Sequence, residues 1–199
     1  MISYIKGEFI VKNPAYVVLE NNGIGYQVNI SLNTYSKIQD QTKGLLYTYY
    51  YFKEDGTSHV PVLYGFADEQ EKSLFTMLIS VNGVGANTAR MILSSMNPKE
   101  LEQAILAEND LLIQKIKGVG PKTAKKIVIE LKDKIGKISS TDTIPGFKQH
   151  NTVQGEALSA LAMLGFSRQS AEKAIALALK TNNSISSVEE LVKTALKNL

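Results

Sequence analysis

The feature that most constrains the fold is a nine-residue segment that occurs twice, at residues 81–89 and 116–124. In both copies an apolar segment ends in Gly-Val-Gly, and a new helical pattern starts within two residues. The paired glycines permit a very tight turn and leave backbone N–H groups unpaired at the start of the next helix, while the central valine is expected to anchor the turn in the core. Such N–H groups and the helix dipole favour an anion, commonly phosphate. A single Gly-x-Gly is more often a plain helix–helix turn, but its duplication favours phosphate binding.

Lysines accompany the second copy of this segment. Residues 115–137 contain eight lysines and only two acids, Glu130 and Asp133. Helical periodicity places one group of apolar side chains on a single face, opposite Lys122, Lys125 and Lys126. The residues of this apolar face are Ala124, Ile127, Val128, Leu131 and Ile135. Lysines near a helix N-terminus oppose the dipole, so an external anion explains them better than helix stability does. On charge alone, a solvated helix face explains the cluster equally well.

Several kinds of active site are excluded by residue content. The sequence has no cysteine and only two histidines, so we expect no disulfide, no thiolate site and no multi-histidine metal site. Pro121 separates Gly120 from Lys122, which rules out a Walker A loop, and neither copy has the third glycine of a dinucleotide fingerprint. We therefore expect no cofactor and no unaided ATP hydrolysis. No signal-peptide pattern and no apolar run of about 18 residues is present, which predicts a cytoplasmic protein without membrane contact.

The first 66 residues have a β pattern. Short runs rich in β-branched and aromatic residues are separated by turn signals such as Asn-Asn-Gly and Glu-Asp-Gly. The predicted strands are residues 2–11, 16–20, 25–30, 45–52 and 60–66. Five short strands in so short a segment predict a small closed barrel of the OB type.

The rest of the chain has helical patterns. We predict an all-α domain over residues 67–138, with capping boxes at Asp68/Glu71 and Asn97/Glu100. Residues 139–154 are polar, contain Pro-Gly and lack periodicity, which predicts a flexible linker. Residues 155–199 are predicted to form a three-helix bundle (156–164, 168–179 and 188–196). The expected fold is thus α+β and multidomain, with the barrel as residues 1–66.

This order of parts resembles the RuvA family, the Holliday-junction-binding subunits of the bacterial branch-migration complex. The two Gly-Val-Gly segments resemble tandem helix-hairpin-helix motifs, which grip the DNA backbone. The barrel, Glu54-Asp55, the segment Leu-Tyr-Gly-Phe at 63–66, the linker and the C-terminal bundle follow the family's order, so the resemblance covers the whole chain.

The resemblance implies a non-catalytic subunit that holds a four-way junction open during recombination and repair. It implies a homotetramer, with one or two tetramers on the junction. It also implies recruitment of the hexameric ATPase motor RuvB and cooperation with the RuvC resolvase.

The resemblance also implies site residues in the hairpins. The expected DNA-binding residues are Gly83, Val84, Gly85, Asn87, Arg90, Gly118, Val119, Gly120, Lys122, Thr123 and Lys126. The first hairpin departs from the family pattern, because Asn87 stands where a lysine is usual. We expect either a weaker grip there or compensation by Arg90.

Two further sites are implied by the resemblance. Glu54 and Asp55 match the family's acidic pin, which would repel phosphates at the crossover, although an Asp-Gly turn that happens to be acidic would look the same. The stretch after them, residues 56–61, is longer than the usual pattern. Leu161, Leu164 and Phe166 are candidates for the motor-binding surface, or alternatively core residues of the bundle.

Parts of the sequence are also compatible with two other functions. A helix-hairpin-helix DNA glycosylase would share the segment 118–124, but the catalytic Asp that such enzymes carry in a Val-Asp-Thr-His-like segment downstream is missing. A generic duplex-binding protein would bind linear and four-way DNA equally.

Overall fold

The five predicted strands form a closed barrel in this computed structural model, which describes residues 2–55, 58–139, 153–181 and 187–199. The strands are β1 (Tyr4–Asn13), β2 (Tyr16–Asn21), β3 (Ile24–Asn29), β4 (Lys43–Asp55) and β5 (Ser58–Phe66). They lie in the order β1-β2-β3-β5-β4, and β3 and β5 form the parallel pair that helps close the barrel. Alternate side chains such as Val17, Leu19 and Leu46 are buried, as a half-buried strand requires. The predicted barrel is confirmed.

A short helix lies between β3 and β4, where the sequence pattern predicts no element. This helix, α1 (Leu32–Ile38), begins after Ser31, whose hydroxyl accepts a hydrogen bond of 2.9 Å from the amide of Thr34. Its Ile38 joins the barrel core. Seven residues make about two turns, too few for a helical hydrophobic period to be recognised.

Five helices follow the barrel and share one core. They are α2 (Glu69–Ile79), α3 (Ala86–Ser95), α4 (Pro98–Leu106), α5 (Asp110–Gln114) and α6 (Pro121–Ser139). The ring of Phe75 on α2 lies 5.0 Å from that of Tyr64 and 4.9 Å from that of Phe66, both on β5. The barrel and the hairpin helices are therefore packed together within one compact unit, residues 1–143.

The two predicted capping boxes of this region differ. At Asn97 both reciprocal bonds with Glu100 are present, as predicted. At Asp68 the side chain accepts from the amide of Glu71 at 2.8 Å, but the Glu71 carboxylate turns away to the barrel instead of back to Asp68.

The second compact unit, residues 144–199, contains the three predicted C-terminal helices. They are α7 (Val153–Met163), α8 (Arg168–Thr181) and α9 (Val188–Leu196), and they bury a small core rich in alanine. The predicted linker, 139–154, lies outside the described residues except for the end of α6 and the start of α7. None of the helices in the described part of the chain is long and apolar enough to span a membrane.

Candidate nucleic-acid interface

The two Gly-Val-Gly turns have the same backbone geometry. Gly83 and Gly118 have φ of 94° and 90°, a region that side chains disfavour. In each turn the amide of the central valine donates a 3.0 Å hydrogen bond back to the third residue before it, from Val84 to Val81 and from Val119 to Ile116. Both central valines are buried, as predicted. They act as anchors, so the backbone of each turn is what faces solvent.

The second glycine of each turn starts the following helix. The carbonyl of Gly85 accepts from the amide of Ala89, and that of Gly120 from Ala124, both at 2.9 Å. Gly85 provides no side-chain cap for α3, so the first amides of that helix lack the usual partner. A Cβ atom at either glycine would meet nothing within 4 Å, so both turns are open to close approach by a ligand.

The lysines of the second hairpin are exposed and uncompensated. Among the residues that the structure describes, none forms an ion pair or hydrogen bond with the side chains of Lys122, Lys125 or Lys126. Farther along α6, by contrast, Lys132 pairs with Glu108, which lowers the pKa of that carboxyl. Thr123 lies half-buried between the exposed lysines and the core. The open helix end and its free cations together form a surface suited to phosphate.

The polar side chains of the first hairpin, unlike the lysines of the second, have hydrogen-bond partners. Asn87 and Arg90 both form hydrogen bonds to the barrel. Asn87 Oδ1 accepts a bond of 3.3 Å from the Tyr64 hydroxyl. Arg90 Nη1 donates a bond of 2.9 Å to the carbonyl oxygen of Ala15. Burial raises the pKa of Tyr64, although Arg90 opposes the shift, so the hydroxyl remains a donor. Ala15 is 75 positions from Arg90 in the sequence, and no local pattern reveals that contact.

A buried carboxylate links the barrel to the hairpin helices. Glu71 of α2 accepts hydrogen bonds from the hydroxyls of Ser31 and Thr34, the latter at 2.8 Å, and from Asn33 Nδ2 at 2.9 Å. Burial raises the pKa of Glu71, and the three hydrogen bonds only partly offset this. The neighbouring Asp68 has a lowered pKa. Its partial burial raises the pKa, but the hydrogen bond of 2.6 Å from Lys37 and the bond from the Glu71 amide outweigh the effect of burial.

The acidic pair lies at the far end of a long hairpin. Strands β4 and β5 pair without interruption from Tyr47 opposite Phe66 to Asp55 opposite Ser58. Glu54 and Asp55 therefore end β4, but their side chains, and residues 56–57, lie outside the described residues. Strand β5 begins at Ser58, two residues before the start that the sequence pattern predicts.

The three candidates in the C-terminal unit are placed differently. Leu161 is fully buried in the bundle core, whereas Leu164 is 61% and Phe166 37% exposed. Met163, which was not among the predicted residues, is 90% exposed beside them. The apolar surface available here therefore consists of Met163, Leu164 and Phe166, whereas Leu161 belongs to the core.

No metal site emerges from the described ranges, where no group of three His, Asp or Glu side chains is close enough to hold an ion.

Comparisons with known proteins match three successive segments. Residues 1–65 match the family model "RuvA N terminal domain", residues 75–133 match "SAM-like Helix-hairpin-helix tandem", and residues 152–199 match "RuvA, C-terminal domain". The chain is similar along its full length to proteins named "Holliday junction branch migration complex subunit RuvA". It is 48% identical to that of Christiangramia forsetii over 199 residues and 46% identical to that of Bacteroides fragilis over 208 residues, covering 100% of each chain. For Cytophaga hutchinsonii the identity is 43% over 201 residues, with 99% of both chains covered.

Proposed function

The chain belongs to the RuvA family, and from this premise we propose that it is the junction-binding subunit of a Holliday junction branch-migration complex. The observation that carries the proposal is the pair of like-shaped hairpin turns with open helix ends. Each turn offers backbone amides to a phosphate, and the second adds three free lysines. Contacts of this kind position DNA without reading its sequence. Selection of four-way DNA must therefore come from its shape.

Each part of the chain expected from the sequence would have its own role in this complex. The barrel (1–66) would form the centre of a homotetramer and carry Glu54 and Asp55 as an acidic pin, and residues 67–138 would hold the DNA arms. After the linker (139–154), residues 155–199 would bind the ATPase motor RuvB. One or two tetramers would enclose the junction, on which RuvC would also act. In this scheme the chain is a non-catalytic accessory subunit and ATP hydrolysis belongs to its partner.

Binding to a labelled four-way junction should survive an excess of linear duplex with the same arm sequences. The affinity should also fall steeply with salt, by about 0.9 in log K per log unit of salt for each phosphate neutralised. A gel-shift competition repeated at several salt concentrations measures both. Loss of all junction binding to the linear competitor would leave a generic duplex-binding protein. In a separate assay, excision of a base from a lesion-containing duplex would favour the glycosylase.

The exposed apolar surface of the C-terminal unit gives a separate prediction. Met163→Glu combined with Leu164→Glu should reduce stimulation of the RuvB ATPase at least tenfold, because interface anchors are lost while the core stays intact. Leu196→Glu combined with Leu199→Glu is the matched control, since these are exposed leucines of the same unit, 40% and 44% accessible, and their replacement adds the same two charges. ATPase rates on junction DNA measure the effect. Equal rates for the two variants would remove this surface from the proposal.

A further inference from the structure

Helix α3 has a polar stripe that faces the barrel. Asn87, Arg90 and Ser94 are separated by three and four residues, the spacing that aligns side chains on one helical face. Each of them makes a hydrogen bond to a different part of the barrel. We call these three residues and their partners the α3 seam.

The three bonds of the seam attach α3 at separate points. Asn87 accepts from the Tyr64 hydroxyl on β5 at 3.3 Å, Arg90 donates to Ala15 O between β1 and β2 at 2.9 Å, and Ser94 Oγ accepts from the amide of Leu32 at 3.1 Å. Two parallel bonds would still allow α3 to rotate against the barrel. Attachment to three different elements restricts both the rotation and the sliding of this helix. The first hairpin is therefore held in one orientation on the barrel.

The second copy of the motif has no polar seam at the equivalent helical positions of the described chain. Thirty-five residues farther on, the equivalent positions are Lys122, Lys125 and Ile129. All three are exposed, Ile129 by 74%, and the two lysines have no ion-pair or hydrogen-bond partner in the described part of the chain. The same helical face thus contacts the barrel in the first copy and solvent in the second.

We propose that the α3 seam is a positioning device for junction selection. It holds the first hairpin at a fixed place relative to β5, the strand that follows the acidic pair. Asn87 and Arg90 then act through the barrel as positioning residues, not as phosphate ligands. This inference rests on the proposed function, because it concerns how four-way DNA is distinguished from linear DNA.

The double variant Tyr64→Phe/Ser94→Ala tests the seam without changing any charge. Tyr64 is only 4% exposed, so its hydroxyl is not available to bind DNA directly. We expect the preference for a four-way junction over linear duplex to fall about tenfold, within the usual range of coupling between sites. Linear-duplex affinity and its salt dependence should stay unchanged. An unchanged junction preference would overturn the proposal.

Arg90→Met and Lys122→Met separate positioning from phosphate contact. Both remove one charge and keep a long side chain. Lys122→Met should reduce the slope of log K against log salt on linear duplex by about 0.9, whereas Arg90→Met should leave that slope unchanged and lower only the junction preference. Equal loss of slope in both variants would identify Arg90 as a phosphate ligand and overturn its assignment.

Two further measurements keep the outcomes distinct. Amide hydrogen exchange at Leu32 in the folded full chain should be faster in Ser94→Ala than in the unaltered protein. This change reports the loss of the seam bond directly. If the double variant does not fold, Ser94→Ala replaces it in the binding test. The unaltered protein serves as the reference. If it shows no junction preference, the proposed function fails; if it prefers junctions and the seam variants do so equally, only the seam proposal fails.

Discussion

Replacing Glu71 by alanine is expected to lower the free energy of unfolding of the unit 1–143 by about 3 kcal/mol. The carboxylate accepts hydrogen bonds from three donors on Ser31, Asn33 and Thr34, and its removal leaves them without that partner. A buried donor that loses its partner costs about 1–3 kcal/mol. Asn33 is only partly buried and gains water instead, and relief of the buried charge returns some free energy. The expected loss of stability therefore stays well below the sum of the largest costs for three donors.

The measurement is denaturant unfolding of the full chain, with Glu69→Ala as control. Glu69 lies on the same helix and is exposed, so its loss should cost less than about 1 kcal/mol, the usual contribution of an acid in a first turn. Equal effects of the two variants would show that the Glu71 network contributes little. Unfolding of the smaller unit, 144–199, should be unaffected in both.

The pH dependence gives a second readout of the same carboxylate. Because burial raises its pKa above the ordinary 4.5, the folded state binds this proton more tightly than the unfolded chain. The resulting stabilisation is complete below pH 4.5 and is lost as the pH rises through the raised value. The free energy of unfolding of the wild type, minus that of Glu71→Gln, should therefore be constant at low pH and decrease above pH 4.5. A difference that increases with pH would contradict the raised pKa.

The hairpins were predictable because their determinants are local. Gly83 and Gly118 need φ near 90°, and the turn, its anchoring valine and the helix start all lie within a few residues. The alternation of β-branched and aromatic residues in the first 66 positions likewise sufficed for a closed barrel. Such signals depend on backbone conformation and on one buried face, both of which the sequence displays directly.

The contacts that join barrel and hairpins were not predictable. Glu71 has the position of a capping-box residue, yet its carboxylate binds donors near the start of α1, 37 to 40 positions away. Arg90 has the charge expected of a phosphate neighbour, yet it bonds to a backbone carbonyl. A local pattern gives the residue type and the helical face but not which distant group meets it. The same ambiguity applies to Leu161, whose periodicity fits either a core or a surface.

The largest effect on DNA binding is expected from the lysines at the start of α6. Changing Lys122, Lys125 and Lys126 together to glutamine should weaken duplex binding by about 10²–10³-fold at 0.1 M salt, because three phosphate contacts account for about 2.7 log units there. The slope of log K against log salt should become shallower by a similar amount. Their side chains have no partner in the described ranges, so the fold should lose little stability.

The control must change net charge equally in the unit that does not contain the hairpins. Lys173, Lys180 and Lys197 are exposed in the C-terminal unit, and their replacement by glutamine removes the same three charges. If overall charge alone attracted DNA, both triple variants would bind equally weakly. A loss confined to the α6 variant, with the shallower slope, would place the phosphates at the second hairpin. An unchanged slope in the α6 variant would mean that these lysines form only a solvated helix face, and that the grip on DNA lies elsewhere.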